Sequence, residues 1–427
     1  MILFVIYVIV APILWPFIFI SSFFIKKLEI RRKNTWESIL NVRRGIRNNR
    51  SERKVIVFHA ASNGEFEQLV PVLKLIDRKQ FYIIISLFSS SVFLKQKQTP
   101  LADGVCFHPY DFLFSSFLFF KMLNPHQYIV VRHDIWPAHL FMARLFNVKT
   151  ILINANLYSE SSRLKSPFLI FNQWVFKHFN LILTPSKRIT ESFKKLVPHT
   201  ETYITGDSRF DQLILRKNNN KQPSVLENTS NAKTIIFGSI DKTDYDIIFK
   251  TLKQFYPKGD ESLNEKANKL IFVPHEVDNR SISELISMLK ELDFDYTLYS
   301  QNKISKANLV IVDSVGILAD LYKYSDLAYI GGGFGKEKYF GQSGVHSVIE
   351  PCAYGLISCF GPNINILDEA VEMVEKGIGF IVENQADFMS CFAFLEDDKF
   401  LRKLKQKTEE YLSFKSGASN KIINYIG

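Results

Sequence analysis

The chain has 427 residues, 47% of them hydrophobic and 14% aromatic, with a formal net charge of +10. That is more chain than one ordinary core organises, so an unfolded polymer is excluded and two domains are expected. The charge is concentrated: residues 26–54 carry eleven Lys/Arg against three Glu, a net of +8, which leaves the rest nearly neutral and argues against a broadly basic nucleic-acid surface.

Residues 1–25, MILFVIYVIVAPILWPFIFISSFFI, contain no charged side chain. As a helix they are long enough for a hydrocarbon core of about 30 Å, and Pro12 and Pro16 are kinks that membrane helices tolerate. A cleaved leader has basic residues before its apolar run and small residues after it. Here the basic residues follow, and the run ends in Phe, so an uncleaved anchor is expected. The basic collar places itself and the following chain on the cytoplasmic side. It also attracts anionic lipid, by about 1 kcal/mol per basic residue near the surface. A segment lying in the interface satisfies the same pattern. The four cysteines, Cys106, Cys352, Cys359 and Cys391, show no zinc spacing and read as buried free thiols in a reducing compartment.

Beyond the collar, short apolar runs alternate with helical patterns. KVIVFH (54–59), FYIIISLF (81–88), GVCFH (104–108), YIVVRH (128–133), KTILINA (149–155), NLILT (180–184) and TYIT (202–205) predict buried parallel strands of βαβ units. Residues 216–233 are polar and Asn-rich and read as a linker. The alternation resumes with TIIFGS (234–239), KLIFVP (269–274), YTLYS (296–300), NLVIVD (308–313), LAYIGGG (327–333), LISCFG (356–361) and IGFIV (378–382), and 398–424 reads as helical. The expected fold class is α/β: an anchor at 1–25, a first doubly wound domain at 26–215, the linker at 216–233, and a second domain at 234–427. Ligands of such sheets bind at the carboxyl ends of the strands.

Several strand ends carry candidate chemistry. SNGE (62–65) matches a capping box, in which Ser62 caps the helix and Glu65 reaches back to the Ser62 amide. The same position suits a general base, because the helix start favours an ionised carboxylate and the strand end opens to substrate. Gly64 leaves room for a close approach. Arg132 ends a strand before Trp136-Pro137 opens a helix. His133 and Asp134 are adjacent on extended backbone and point apart, which argues against a catalytic pair. Arg209 follows another strand, where an arginine is commonly a solvated surface residue. In the second half, the turn GSIDKTDYD (238–246) offers amides to an anion, and Pro274-His275-Glu276 end a strand without a second His at zinc spacing. YIGGGFGKEKYFGQSGVHSVIEPCAYG (329–355) gathers a glycine turn, Lys336, Lys338, His346 and Glu350, with a helix expected to start near His346. It suits a phosphate and ribose, or is an ordinary loop with a His–Glu pair on one helix face. Neither a dinucleotide fingerprint nor a P-loop is present.

In order, SNGE, DIWP, NANLYSESS (154–162), TGDSRFD (205–211), VPHE (273–276), DSVGIL (313–318), GVHSVIEP (344–351) and FGP (360–362), behind an N-terminal anchor, resemble the 3-deoxy-D-manno-octulosonic acid (Kdo) transferases over nearly the whole chain. This resemblance implies a GT-B glycosyltransferase with two facing Rossmann-like domains. It implies transfer of Kdo from CMP-Kdo to a lipid A precursor at the cytoplasmic face of the inner membrane, with inversion, without a metal and without a cofactor. The family's general base falls on Glu65. Its transition-state glutamate falls on Arg132, with the charge reversed, and its catalytic lysine on Arg209. Its CMP contacts fall on Pro274 and His275, on Val315, Gly316 and Ile317, and on the run His346, Ser347, Val348, Ile349 and Glu350. The usual donor-site Arg after the proline is missing, and Lys336, Lys338 or His346 are candidates to replace its charge. Asn156 also stands where the family usually has Arg. Two other readings fit the residues: a membrane-associated GT-B transferase with another nucleotide sugar and lipid acceptor, and a non-catalytic binder of nucleotide or lipid phosphate.

Overall fold

A computed structural model of the protein describes residues 2–132, 134–218, 232–301, 308–335 and 344–427. The chain forms two compact units, Met1–Leu215 with Lys415–Gly427, and Arg216–Phe414.

Among the described residues, the first unit holds a seven-stranded parallel sheet: β1 (Lys54–Ala60), β2 (Phe81–Leu87), β3 (Gly104–Phe107), β4 (Gln127–Val131), β5 (Lys149–Ile153), β6 (Leu181–Thr184) and β7 (Glu201–Ile204), in the order β3-β2-β1-β4-β5-β6-β7. The continuous apolar runs are explained by burial on both faces. Val55 and Val57 pack in one core with Ile84, Tyr128 and Leu152, while Ile56 and Phe58 pack in the other with Leu69, Val72, Ile83 and Ile129. The order reverses between β1 and β4, so a crevice opens at their carboxyl ends.

The collar is a 24-residue helix, Lys26–Asn49. Its Arg31 is buried: the guanidinium donates to the carbonyls of Phe88 and His108 and lies 4.0 Å from the centre of the Phe88 ring. Ahead of it, Ile2–Val10 and Trp15–Ser21 are joined by a 3₁₀ turn, Ala11–Leu14, where Pro12 and Pro16 interrupt regular bonding. Leu3–Ser21, 19 residues, is long and apolar enough to cross a membrane. It also touches the first unit. Phe4 stacks 4.1 Å from Trp174, and the Tyr7 hydroxyl donates to Asp111 Oδ2 at 2.7 Å.

The second unit holds, among the described residues, another seven-stranded parallel sheet: β8 (Lys233–Ile240), β9 (Asn268–Pro274), β10 (Thr297–Leu298), β11 (Leu309–Ile311), β12 (Leu327–Ile330), β13 (Ile357–Phe360) and β14 (Gly379–Ile381). Its order is β10-β11-β9-β8-β12-β13-β14, with the reversal between β8 and β12. Of YTLYS, only Thr297–Leu298 is strand.

The tail differs from the sequence expectation. Asp398–Lys415 is a helix of the second unit, but Ala418–Ile426 packs on the first. Ile422 and Ile426 enter the core with Leu69 and Val72, Gln127 Nε2 donates to the Ile426 carbonyl at 2.8 Å, and Asp211 accepts from the amides of Gly417 and Ser419. An amphipathic pattern announces an apolar face without naming the domain that covers it. The helix Ser208–Asn218 also runs on into the stretch read as a linker, most of which lies outside the described residues.

Candidate active site

In the first unit the candidate site is the β1/β4 reversal. The helix Asn63–Leu75 begins there with a complete capping box: Ser62 Oγ accepts from the Glu65 amide, and Glu65 Oε2 accepts from Ala61 N at 2.7 Å and Ser62 N at 3.3 Å. The structural and functional readings of Glu65 therefore share one geometry. Oε2 is fixed by the Ala61 and Ser62 amides. Glu65 is 5% exposed. Burial pushes its carboxyl above the ordinary value, the Asp134 charge adds to this, and the Ala61 amide, His59 and the Ser62 amide oppose it. A Cβ at Gly64 would have nothing nearer than Ser62 Oγ, at 4.0 Å, so the backbone is open on that side.

Sequence reasoning set Asp134 aside because its neighbour points the other way. The structure supplies a different partner: Asp134 Oδ2 lies 2.7 Å from His59 Nε2 and accepts from Trp136 Nε1 at 2.7 Å. His59 stands in β1, opposite Val130 of β4. Seventy-five residues separate the pair in the chain, so only the strand order could have announced it. His133 lies outside the described residues.

Arg132 follows β4 with φ +64°, a left-handed backbone unusual for a non-glycine residue, and its amide donates to the Ile153 carbonyl at 2.9 Å. Arg209 is forked onto Asp207, with Nε and Nη2 at 2.8 and 2.6 Å from Oδ2. Burial works against an ionised Asp207, but the charge and hydrogen bonds of Arg209, with Arg132 adding to them, hold its carboxyl below the ordinary value. Arg132 and Arg209 thus gather around one buried aspartate. Ser208 beside them bonds Asn154 and the Gln68 carbonyl, tying this loop to the helix that carries Glu65.

In the second unit the corresponding place is the β8/β12 reversal. Asp244 completes a capping box with Asp241 and also accepts from Gly332 N and Tyr329 Oη, each at 2.9 Å. Burial is the main reason its carboxyl is pushed up to about 6. The glycines are first a packing requirement. A Cβ on Gly331 would sit 2.4 Å from the Ser239 carbonyl oxygen, and one on Gly333 would sit 2.6 Å from Gly361. Gly332 has φ +89°.

Pro274 ends β9 buried, His275 is exposed, and the His275 and His346 rings stack with centroids 4.3 Å apart. His346 is not in a helix, because the next one is Ile349–Ala353. The expected His346–Glu350 pair on one helix face is absent; Glu350 accepts from Ser347 Oγ instead. Burial and the neighbouring His275 lower His346 to about 4. Among the described residues its buried Nε2 has no hydrogen-bond partner. Val348 and Ile349 are core residues and have only backbone to offer a ligand. Val315 is 86% exposed, and Gly316 beside it has φ +93° and no atom within 4 Å of a notional Cβ. Ile317 precedes the short helix Leu318–Leu321. Lys336 and Lys338 lie outside the described residues. Among the described residues, no group of three or more His, Cys, Asp or Glu is disposed to hold a metal ion.

Comparison with known proteins agrees with this architecture. Residues 37–212 match the family described as 3-deoxy-D-manno-octulosonic-acid transferase (kdotransferase). The chain is 29% identical over 358 residues to a 3-deoxy-D-manno-octulosonic acid transferase of Aquifex aeolicus, covering 82% of this chain and 89% of the relative. It is 26% identical over 361 residues to the enzyme of the same description from Chlamydia muridarum, covering 82% and 80%. Among solved structures, a glycosyltransferase from Rickettsia africae superposes with a TM-score of 0.58 at 13% identity, over 88% of this chain and 97% of that one. The structural likeness establishes the fold, which is of the GT-B class.

Proposed function

The chain belongs to the Kdo transferase family, and from that premise we propose that it moves Kdo from CMP-Kdo to a hydroxyl of a lipid A precursor, with inversion, without a metal, and with Glu65 as general base. Kdo transfer in lipopolysaccharide biosynthesis is the family's activity. The donor nucleotide, the acceptor and the residue roles are our reading.

The observation that carries it is the fixing of Glu65 by two amides at the β1/β4 reversal. The acceptor oxygen forms a bond to the anomeric carbon as the bond from that carbon to the CMP phosphate oxygen breaks. The acceptor proton passes to Glu65, and CMP leaves with the electron pair. A carboxylate whose proton affinity is raised above the ordinary value is a better base. In the second unit, Pro274, His275, Val315, Gly316, Ile317, His346, Ser347, Val348, Ile349 and Glu350 are the proposed cytidylate contacts. His346 Nε2, without a hydrogen-bond partner among the described residues, is a polar atom suited to a ligand. Arg132 and Arg209 are proposed to favour an anionic substrate group through the charge they share with Asp207. The apolar Leu3–Ser21 segment and the basic helix behind it are proposed to hold the enzyme at the cytoplasmic face of the inner membrane, against anionic lipid and the acceptor's phosphates.

The test is a transfer assay with mass analysis of the lipid product, offering CMP-Kdo or UDP-sugars with a lipid A precursor. Expected are Kdo addition from CMP-Kdo alone, undiminished by a chelator, and a loss of at least about 100-fold with Glu65→Gln. Transfer from a UDP-sugar, or full activity in the variant, would overturn it.

A further inference from the structure

We propose that Asp134 is a positioning residue for the transfer reaction, clamped by His59 and Trp136 so that its charge stands beside Glu65 and sustains that residue as a base. The inference rests on the reading of Glu65 given above and goes beyond it by giving Asp134 a role in that site.

The geometry is specific. His59 is fully buried, and its ring is held at both nitrogens. Nδ1 lies 3.1 Å from the Ser86 carbonyl oxygen, which can only accept, and Nε2 lies 2.7 Å from Asp134 Oδ2. The Trp136 indole can only donate, and it donates to the same carboxylate oxygen. Two groups from adjacent strand ends, His59 of β1 and Trp136 after β4, thus fix one carboxylate at the β1/β4 reversal, where Glu65 also lies. A surface aspartate needs no such clamp; the Asp134 side chain is 24% exposed.

The surroundings favour an effect on Glu65. The groups facing Glu65 are His59 from β1, Asp134 from the segment after β4, and the amides of Ala61 and Ser62. Asp134 in turn is faced by His59, His139, Tyr128 and Arg163. A second negative charge beside a carboxylate disfavours its ionised form and strengthens it as a base. Behind His59, the ring of His108 stacks at 3.8 Å, and His139 stacks on His108 at 4.1 Å, so a packed column prevents the clamp from swinging away.

The experiment measures transfer against pH for the wild type and for Glu65→Gln, Asp134→Asn, Asp134→Ser and Asp134→Glu in the full-length protein. Removing the charge at 134 is expected to move the acidic limb of the rate profile to lower pH and to lower kcat at neutral pH by about tenfold, with KM changed by less than about twofold. Asp134→Glu is expected to restore the limb. The Ser variant serves if the Asn variant does not fold. A structural role alone lowers the folded fraction without moving the limb, and an unmoved limb with Glu65→Gln inactive overturns this inference and leaves the base intact. Transfer by Glu65→Gln overturns both.

Discussion

Glu65 caps its helix through one oxygen and is the proposed base through the other, and the substitution Glu65→Gln separates the two. The amide oxygen of Gln still accepts from Ala61 and Ser62, as capping boxes with Gln do, so the helix start should survive while the proton acceptor is lost. Stability adds a second signature. The Glu65 carboxyl is raised in the folded protein, so the fold binds its proton more tightly than the unfolded chain does. Its contribution to stability is full below the ordinary carboxylate range and is lost as pH rises through the folded value. Denaturant unfolding should therefore find Glu65→Gln at least as stable as the wild type at pH 8, with the advantage shrinking as pH falls. A variant less stable at pH 8 would mean that the charge itself holds the helix start.

At the scale of elements, the glycine turn after β12 separates what the sequence showed from what it hid. The cluster GGG at a strand end was legible as special, but its first duty is close backbone packing. Gly331→Ala places a Cβ 2.4 Å from the Ser239 carbonyl oxygen and 2.6 Å from Ile240 Cα, and backbone cannot yield as a flexible side chain does. Overpacking of this kind costs about 1–3 kcal/mol, so the second unit should melt earlier in calorimetry and CMP binding should weaken in titration. Strands were legible because burial on both faces leaves unbroken apolar runs, and Glu65 because a capping box is a local pattern. The His59–Asp134 clamp was not legible, since it depends on β1 lying beside β4. The coil at His346 was missed, since the helix begins only at Ile349. The lowering of His346 follows from burial that no local pattern encodes.

At the scale of the whole molecule, the sequence separated an anchor, two α/β domains and a linker, and the two doubly wound sheets stand as expected. It could not foresee that the last helix returns to the first unit, because Ile422 and Ile426 fit either core by pattern and only Asp211 and Gln127 select one. Asp207, Arg132 and Arg209 form a charge group from strand ends more than seventy residues apart in sequence. The family resemblance named both arginines without showing that one aspartate joins them.

The hydrogen bond from Tyr7 to Asp111 bears on how the enzyme should be purified. Trimming the first 25 residues to obtain a detergent-free preparation would strip a donor from a carboxylate that is 4% exposed and would uncover the ring face of Trp174. Hydrogen bonds to charged groups contribute about 1.5–3 kcal/mol, so the shortened protein should unfold at lower denaturant, and Tyr7→Phe in the intact chain should reproduce part of that shift. Weak turnover from a trimmed sample would then reflect a loosened first unit as much as loss of the proposed lipid contact, and the single-atom variant is the control that tells the two apart.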